Sequence, residues 1–213
     1  MPMIQGLKIW GRTSSSNVMK LLWLCEELGI PHERIDAGGE FGRTREPFYL
    51  AMNPNSRVPT IEEADGYTLW ESNSALRYLV ATRAPGSPLH PPAPKARGDV
   101  ERWMDWQLAS LNGPMTTVFF THVRTPEAQR DLAAAAKAQG EAEALWSILD
   151  RQLAGRDYVA GGFSLADICL GIYVHRWFSL PIERAALPRL RGWYDRLQAN
   201  HAGYRTHVAV PMV

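Results

Sequence analysis

Cysteine is scarce in this sequence, with two among 213 residues. Cys25 and Cys169 lie far apart and form no C-x-x-C pair. That excludes a redox dithiol of this kind and a disulfide framework, and it points to a reducing, cytoplasmic compartment. No apolar run approaches the roughly 18 residues that a bilayer crossing needs, so no membrane partner is expected. The opening MPMIQGLKIW has neither a basic n-region nor a long apolar h-region, so no secretory signal is expected. An excess of charge of one sign is also missing. The 23 Lys and Arg against 22 Asp and Glu leave a net +1, which gives no electrostatic reason to expect nucleic acid or an anionic membrane. The histidines at 32, 90, 122, 175, 201 and 207 show no metal-ligand spacing, so no metal is expected. There is no internal repeat, and Ala133–Ala136 is only a helix-favouring run.

What remains is an ordinary globular composition, 46% hydrophobic and 21% charged, long enough for one large or two small domains. Leu7 to Trp10 alternate as a short strand, and Gly11 to Ser16 form a serine-rich polar loop. Val18, Leu21, Leu22, Cys25 and Leu28 then share one face at helical spacing. Ser15 or Ser16 is the natural N-cap and Gly29 the stop. On that face Cys25 reads as a small buried hydrophobe. A second strand covers 32–36. The flexible Gly38–Gly42 loop and a short helical piece near 46–50 follow. Val58, Thr60 and Ile61 form a third strand, and Pro59 marks an edge or a special bond. Ala64-Asp65-Gly66-Tyr67 is a turn, Thr68 to Trp70 the return strand, and Glu71-Ser72-Asn73 opens a helix. Right-handed crossover makes the first two strands parallel neighbours.

Residues 83–94, RAPGSPLHPPAP, carry prolines 85, 88, 91, 92 and 94. Such density suits neither a helix nor a central strand, so the domain boundary falls here. Everything beyond reads as helical. Expected helices run over 96–111, with an interruption at Gly113-Pro114, over 126–153, from Phe163 onwards, and over 188–200. Ser164 and Asp167 fit a capping box, with Phe163 and Ile168 as its staple.

Asn53-Pro54, Arg57-Val58-Pro59 and Glu71-Ser72 followed by Leu76, Arg77 and Tyr78 resemble the glutathione transferase family. Trp10-Gly11-Arg12 with Ser15-Ser16-Asn17, and Ala37-Gly38-Gly39-Glu40-Phe41-Gly42, resemble bacterial cytosolic members. The resemblance covers nearly the whole chain. It implies an α+β two-domain fold: a thioredoxin-like domain over 1–82, a linker over 83–94 and an all-helical domain over 95–213. It implies glutathione as co-substrate and a small electrophile as its partner. In the family the Val-Pro bond is cis and exposes backbone groups that pair with the cysteinyl part of glutathione. Ser72 and the helix N-terminus would take the free carboxylate, and Glu71 the ammonium. Arg12, Phe41, Asn55, Arg57, Val58 and Pro59 complete the implied glutathione contacts. Ser72 also suits a plain N-cap and Glu71 an ordinary surface charge.

A glutathione thiol, with a pKa near ~8.5, is mostly protonated at neutral pH and needs a donor to favour its anion. The family places that donor, a tyrosine, serine or cysteine, in the loop between first strand and first helix. This loop has no tyrosine or cysteine. It offers Ser14, Ser15, Ser16 and Asn17, besides Thr13. Counting back from Gly29-Ile30-Pro31 favours Ser15. A helix cap and nothing more remains the other reading. Met104, Leu108, Met115, Phe119 and Trp177 are candidates to line an electrophile pocket, and Arg124 to meet an anionic substrate. Plain core packing and a solvated arginine are the alternatives. The resemblance also implies a homodimer, with helix 72–82 meeting the partner's first helical-domain helix, which carries Glu101 and Asp105. The other functions left open are a glutathione-dependent dehalogenase or peroxidase and a non-catalytic binding module.

Overall fold

The computed structural model describes residues 6–212. The opening residues 1–5, part of the stretch read above for a leader, lie outside them. The chain divides into two compact units, residues 1–85 and 86–213.

The first unit is built on a four-stranded sheet in the order β2-β1-β3-β4. The strands are β1 (Leu7–Trp10), β2 (His32–Ile35), β3 (Thr60–Glu62) and β4 (Thr68–Trp70). β1 and β2 are parallel, joined by helix α1 (Ser16–Leu28). β3 runs antiparallel to both β1 and β4. Ile9 faces Ile61 across the β1–β3 ladder, and both are fully buried. The β3–β4 turn follows the sequence. Gly66 has φ 87°, Asp65 Oδ1 accepts the Tyr67 amide at 2.9 Å, and the Glu63 amide donates to Tyr67 O at 2.8 Å. α2 (Pro47–Met52) packs against β4, and α3 (Ser72–Arg83) against α1. Residues Val18 to Cys25 of α1 are buried without a break, which makes it a core helix rather than a half-exposed one.

The second unit is all helical: α4 (Pro94–Trp106), α5 (Asn112–Phe119), α6 (Leu132–Gln152), α7 (Leu165–Ser179), α8 (Pro188–Asn200) and α9 (Ala202–His207). Two expectations are corrected here. The helix begun at Pro94 does not break at Gly113-Pro114. A wide turn over Gln107–Leu111 comes first, and Gly113 and Pro114 lie in the first turn of α5. Pro114 has no N–H, and its ring crowds the carbonyl four residues earlier, at Ser110, so the distortion falls in the turn before the proline. A second wide turn, Phe120–Arg124, closes with the Thr125 amide on Phe120 O at 2.8 Å. Nor does one helix run from Pro126. Glu127–Gln129 is a single tight turn and Arg130 is extended. α6 starts at Leu132, where the Asp131 carboxylate accepts the Ala134 amide at 2.9 Å.

The capping box at α7 is present, with Ser164 and Asp167 each accepting from the other's backbone amide. Phe163 stacks on His201 at 3.9 Å between ring centres. α8 begins with a proline, and its next two amides, Arg189 and Leu190, both donate to Asp150 Oδ1 of α6 at 2.9 Å.

Candidate functional site

Three loops of the first unit converge on Val58. The β1–α1 connection turns tightly at Gly11, where a Cβ would stand 2.4 Å from Val18 Cγ2 and 3.3 Å from Val58 Cβ. Glycine is therefore required for the close approach. Gly38 has φ 76°, and a Cβ there would meet Arg12 Nη1 and Val58 Cγ1, each at 3.1 Å. Arg12 thus lies along the Gly38–Gly39 loop beside Val58. The Val58 side chain packs on a cluster of Trp10, Ala37 and Tyr49.

The Val58–Pro59 bond is cis. The stretch before it is clamped. Arg57 O accepts Tyr49 Oη at 2.7 Å and Asn53 Nδ2 at 2.8 Å, and Thr60 Oγ1 contacts both of those groups. Tyr49, Asn53 and Thr60 are all buried. Among the described residues the N–H and C=O of Val58 join neither the sheet ladder nor a turn bond. These groups are left facing away from the sheet ladder's own pairing and are suited to an added strand.

At the start of α1, Ser15 is the N-cap residue, extended at φ −83° and ψ 122°, and its side chain makes no cap hydrogen bond. Ser15 is buried to 9% exposure, while Ser14, Ser16 and Asn17 are more open. At the start of α3, Glu71 holds φ 71°, a left-handed value that is costly for a residue with a Cβ. Its side chain is exposed and does not cap the helix. Ser72, the first residue of α3, is buried. The two helix starts are tied together below the surface, where Lys20 Nζ of α1 donates to Asn73 Oδ1 of α3 at 3.0 Å.

A groove of about 520 Å³ opens beside this corner, lined by Gly42, Arg43, Arg45, Asn55, Ser56 and Arg57 among others. Its three arginines make it an anion-attracting wall. Arg43 also lies 5.0 Å over the Trp10 ring. Phe41, on the same loop, is 42% exposed.

Residues 14–82 match the model for the glutathione S-transferase N-terminal domain, and residues 131–196 match that for the C-terminal domain. The chain is 36% identical over 208 residues to glutathione S-transferase GstB of Escherichia coli, covering 97% of this chain and 99% of that one. It belongs to the glutathione S-transferase family. A theta class glutathione S-transferase from Xanthomonas axonopodis pv. citri, solved with glutathione bound, superposes with a TM-score of 0.92 at 42% identity, over 98% of this chain and all of that one. The disulfide-bond oxidoreductase YfcG of Escherichia coli is 28% identical, over 87% of each chain.

The glutathione-contact candidates Arg12, Phe41, Asn55, Arg57, Val58, Pro59, Glu71 and Ser72 all lie on the loops and helix starts just described. The electrophile-pocket candidates separate differently. Met104, Met115, Phe119 and Trp177 are buried to 1% or less. Such burial is what core packing, the alternative stated for them, produces. Leu108, in the wide turn after α4, is 47% exposed. Arg124 lies 5.2 Å over the rings of both Phe119 and Phe120. Burial pushes the Cys25 thiol up to about 12, so it stays protonated. Among the described residues no cluster could hold a metal ion, and no helix is long and apolar enough to cross a membrane.

Lys20 and Tyr49 went unnoticed in the sequence, and Asn73 was read only as part of a helix start. Lys20 carried a signal, being a charged residue inside the otherwise apolar run Val18 to Cys25.

Proposed function

We propose that this chain binds glutathione and transfers its thiolate to a small electrophile. The observation that carries the reading is Ser15: a serine at a helix start whose hydroxyl does not cap its own helix. That hydroxyl, with the positive end of α1, is suited to stabilise a thiolate. The unpaired backbone of Val58 suits the cysteinyl peptide group, and the start of α3 with Ser72 suits the γ-glutamyl carboxylate. Glu71 takes the ammonium, and Arg57 with its neighbouring arginines takes the glycyl carboxylate. The glutathione bound to the Xanthomonas relative supports the choice of ligand.

The protein acts as a cytoplasmic homodimer in this reading, with α3 and α4 at the two-fold interface. Light scattering at micromolar concentration should give about twice the chain mass of 23.9 kDa. A disulfide-reducing activity is the second reading, favoured by the relative YfcG. Thiol consumption measured with a panel of halogenated, epoxide, peroxide and disulfide substrates separates the two. Turnover of carbon electrophiles supports transfer. Turnover confined to disulfides or peroxides favours the second reading, and glutathione binding with no turnover at all leaves a binding module.

A further inference from the structure

The groove beside Arg57 has more room and more positive charge than the end of glutathione can use. Its walls are the stretches 42–45 and 55–57. Both are held by hydrogen bonds. The Thr44 amide donates to Gly42 O at 2.9 Å and the Glu46 amide to Arg43 O at 3.0 Å. The Asn55 amide donates to Asn53 Oδ1 at 3.0 Å and the Ser56 amide to Asn53 O at 3.2 Å. Each wall also keeps one residue in the left-handed region, Arg43 at φ 68° and Ser56 at φ 55°. Such conformations are costly for residues with a Cβ and persist where the surrounding structure determines them.

Arg43, Arg45 and Arg57 line the groove, and all three are exposed. Among the described residues none of the three joins an ion pair. The nearby Asp36 carboxylate is taken by Arg34. Glu40 and Glu46, the acidic residues of the same loop, do not line the groove.

The sheet gives a bound peptide its direction. Trp70 pairs with Thr60, so Glu71 and Ser72 follow at the Pro59 end of that strand. With the γ-glutamyl end at Ser72 and the cysteinyl group on Val58, the third residue of the ligand falls towards Arg57 and the groove. Glycine brings one carboxylate there. One arginine can hold a carboxylate through two parallel N–H donors, so three guanidiniums exceed that demand. The 520 Å³ of the groove also lies in the range of about 300–1,000 Å³ that accommodates a whole small molecule.

We propose that this groove is a subsite for a second carboxylate. The protein then takes a thiol tripeptide whose third residue is acidic, γ-glutamyl-cysteinyl-glutamate, more tightly than glutathione. The assignment rests on the γ-glutamyl and cysteinyl contacts proposed above. Arg57 holds the terminal carboxylate of either ligand, and Arg43 and Arg45 hold the carboxylate of the added side chain.

Calorimetry with three ligands tests it: glutathione, γ-glutamyl-cysteinyl-glutamate and γ-glutamyl-cysteinyl-glutamine. Glutamine matches glutamate in size and lacks its charge. Wild type should bind the glutamate ligand about tenfold more tightly than the glutamine ligand, as two exposed pairs allow. It should bind the glutamate ligand more tightly than glutathione as well. In Arg45→Gln the preference for glutamate over glutamine should shrink, and in the double variant Arg43→Gln/Arg45→Gln it should vanish. Because the preference compares two ligands in one protein, a general loss of affinity cancels from it. Arg83→Gln removes the same charge at the far end of α3 and should leave the preference as in wild type. A wild-type preference near one overturns the proposal, as does a glutamate ligand no tighter than glutathione. So does a preference that survives the double substitution, or that Arg83→Gln lowers as much as Arg45→Gln. In each of these cases glutathione still binds and the function proposed above stands. If wild type binds none of the three ligands, that function fails and this subsite with it.

Discussion

Replacing Asp167 by alanine should destabilise the helical unit by at least about 3 kcal/mol. The Asp167 carboxylate is fully buried and accepts four donors. Oδ1 takes the Val159 amide and Trp193 Nε1, each at 3.0 Å, and Oδ2 takes the Ser164 amide at 2.9 Å and the Ser164 hydroxyl at 3.0 Å. These donors come from the turn before α7, from the cap of α7 and from the middle of α8. Each buried N–H left without an acceptor costs about 1–3 kcal/mol, and three are orphaned at once. Ser164→Ala removes only one hydroxyl and should cost about 1 kcal/mol. For a chain of this size ~3 kcal/mol corresponds to a fall in Tm of roughly 6–12 °C.

The same group sets a pH dependence. Burial outweighs the four donors and raises Asp167 from the usual 3.8 to about 6. A carboxyl whose folded value is raised is easier to bury protonated. Its stabilising contribution is complete below about pH 4 and is lost as pH rises through about 6. A shift of about two units amounts to ~3 kcal/mol. Urea unfolding of wild type and Asp167→Asn, at steps from pH 4 to pH 7, measures it. Wild type should lose about that much relative to the asparagine variant, which does not titrate. A constant difference between the two, or an Asp167→Ala variant no less stable than Ser164→Ala, refutes the reasoning.

Asp150→Ala should cost about 2 kcal/mol in urea unfolding, because it strips the acceptor from two amides at the start of α8. Its glutathione affinity should match wild type. Glu71→Gln should weaken glutathione by about 2 kcal/mol or more in calorimetry, since it leaves the ligand ammonium without its charged partner. Tyr49→Phe should weaken glutathione by a few-fold and lower stability by about 1 kcal/mol, because one of the two bonds holding Arg57 O is lost.

The parallel β1–β2 pair and the β3–β4 hairpin were legible because they rest on local signals. The Asp65-Gly66 turn, the alternation at Leu7–Trp10 and the single crossover helix leave few arrangements open. The cap at Ser164 was legible for the same reason, since both partners lie within three residues. The wide turns at Gln107–Leu111 and Phe120–Arg124 were not, because one extra residue in a turn barely alters apolar spacing over a few positions. The start of α6 was hidden because Glu127 to Arg130 before Asp131 and the alanine run after it are all helix-favouring residues. Asp150 as a cap for α8 lies 39 residues from its partner, and no local pattern reports such a pairing. In the site, Glu71 and Ser72 stood out as a motif. Lys20 and Tyr49 lie beneath it, bonded to residues 53 and 11 positions away, and no local pattern reports such contacts.

The central claim is that Ser15 stabilises a thiolate, and ultraviolet thiolate absorbance of the glutathione complex against pH tests it directly. Wild type should ionise bound glutathione well below the ~8.5 of a free thiol. A hydrogen bond to a charged group is worth about 1.5–3 kcal/mol, so Ser15→Ala should raise the bound value by roughly one to two units. The residual depression comes from the helix end. Ser14→Ala, Ser16→Ala and Asn17→Ala should move the titration much less. A wild-type complex that titrates like free glutathione, or a Ser15→Ala variant that titrates like wild type, would contradict the account.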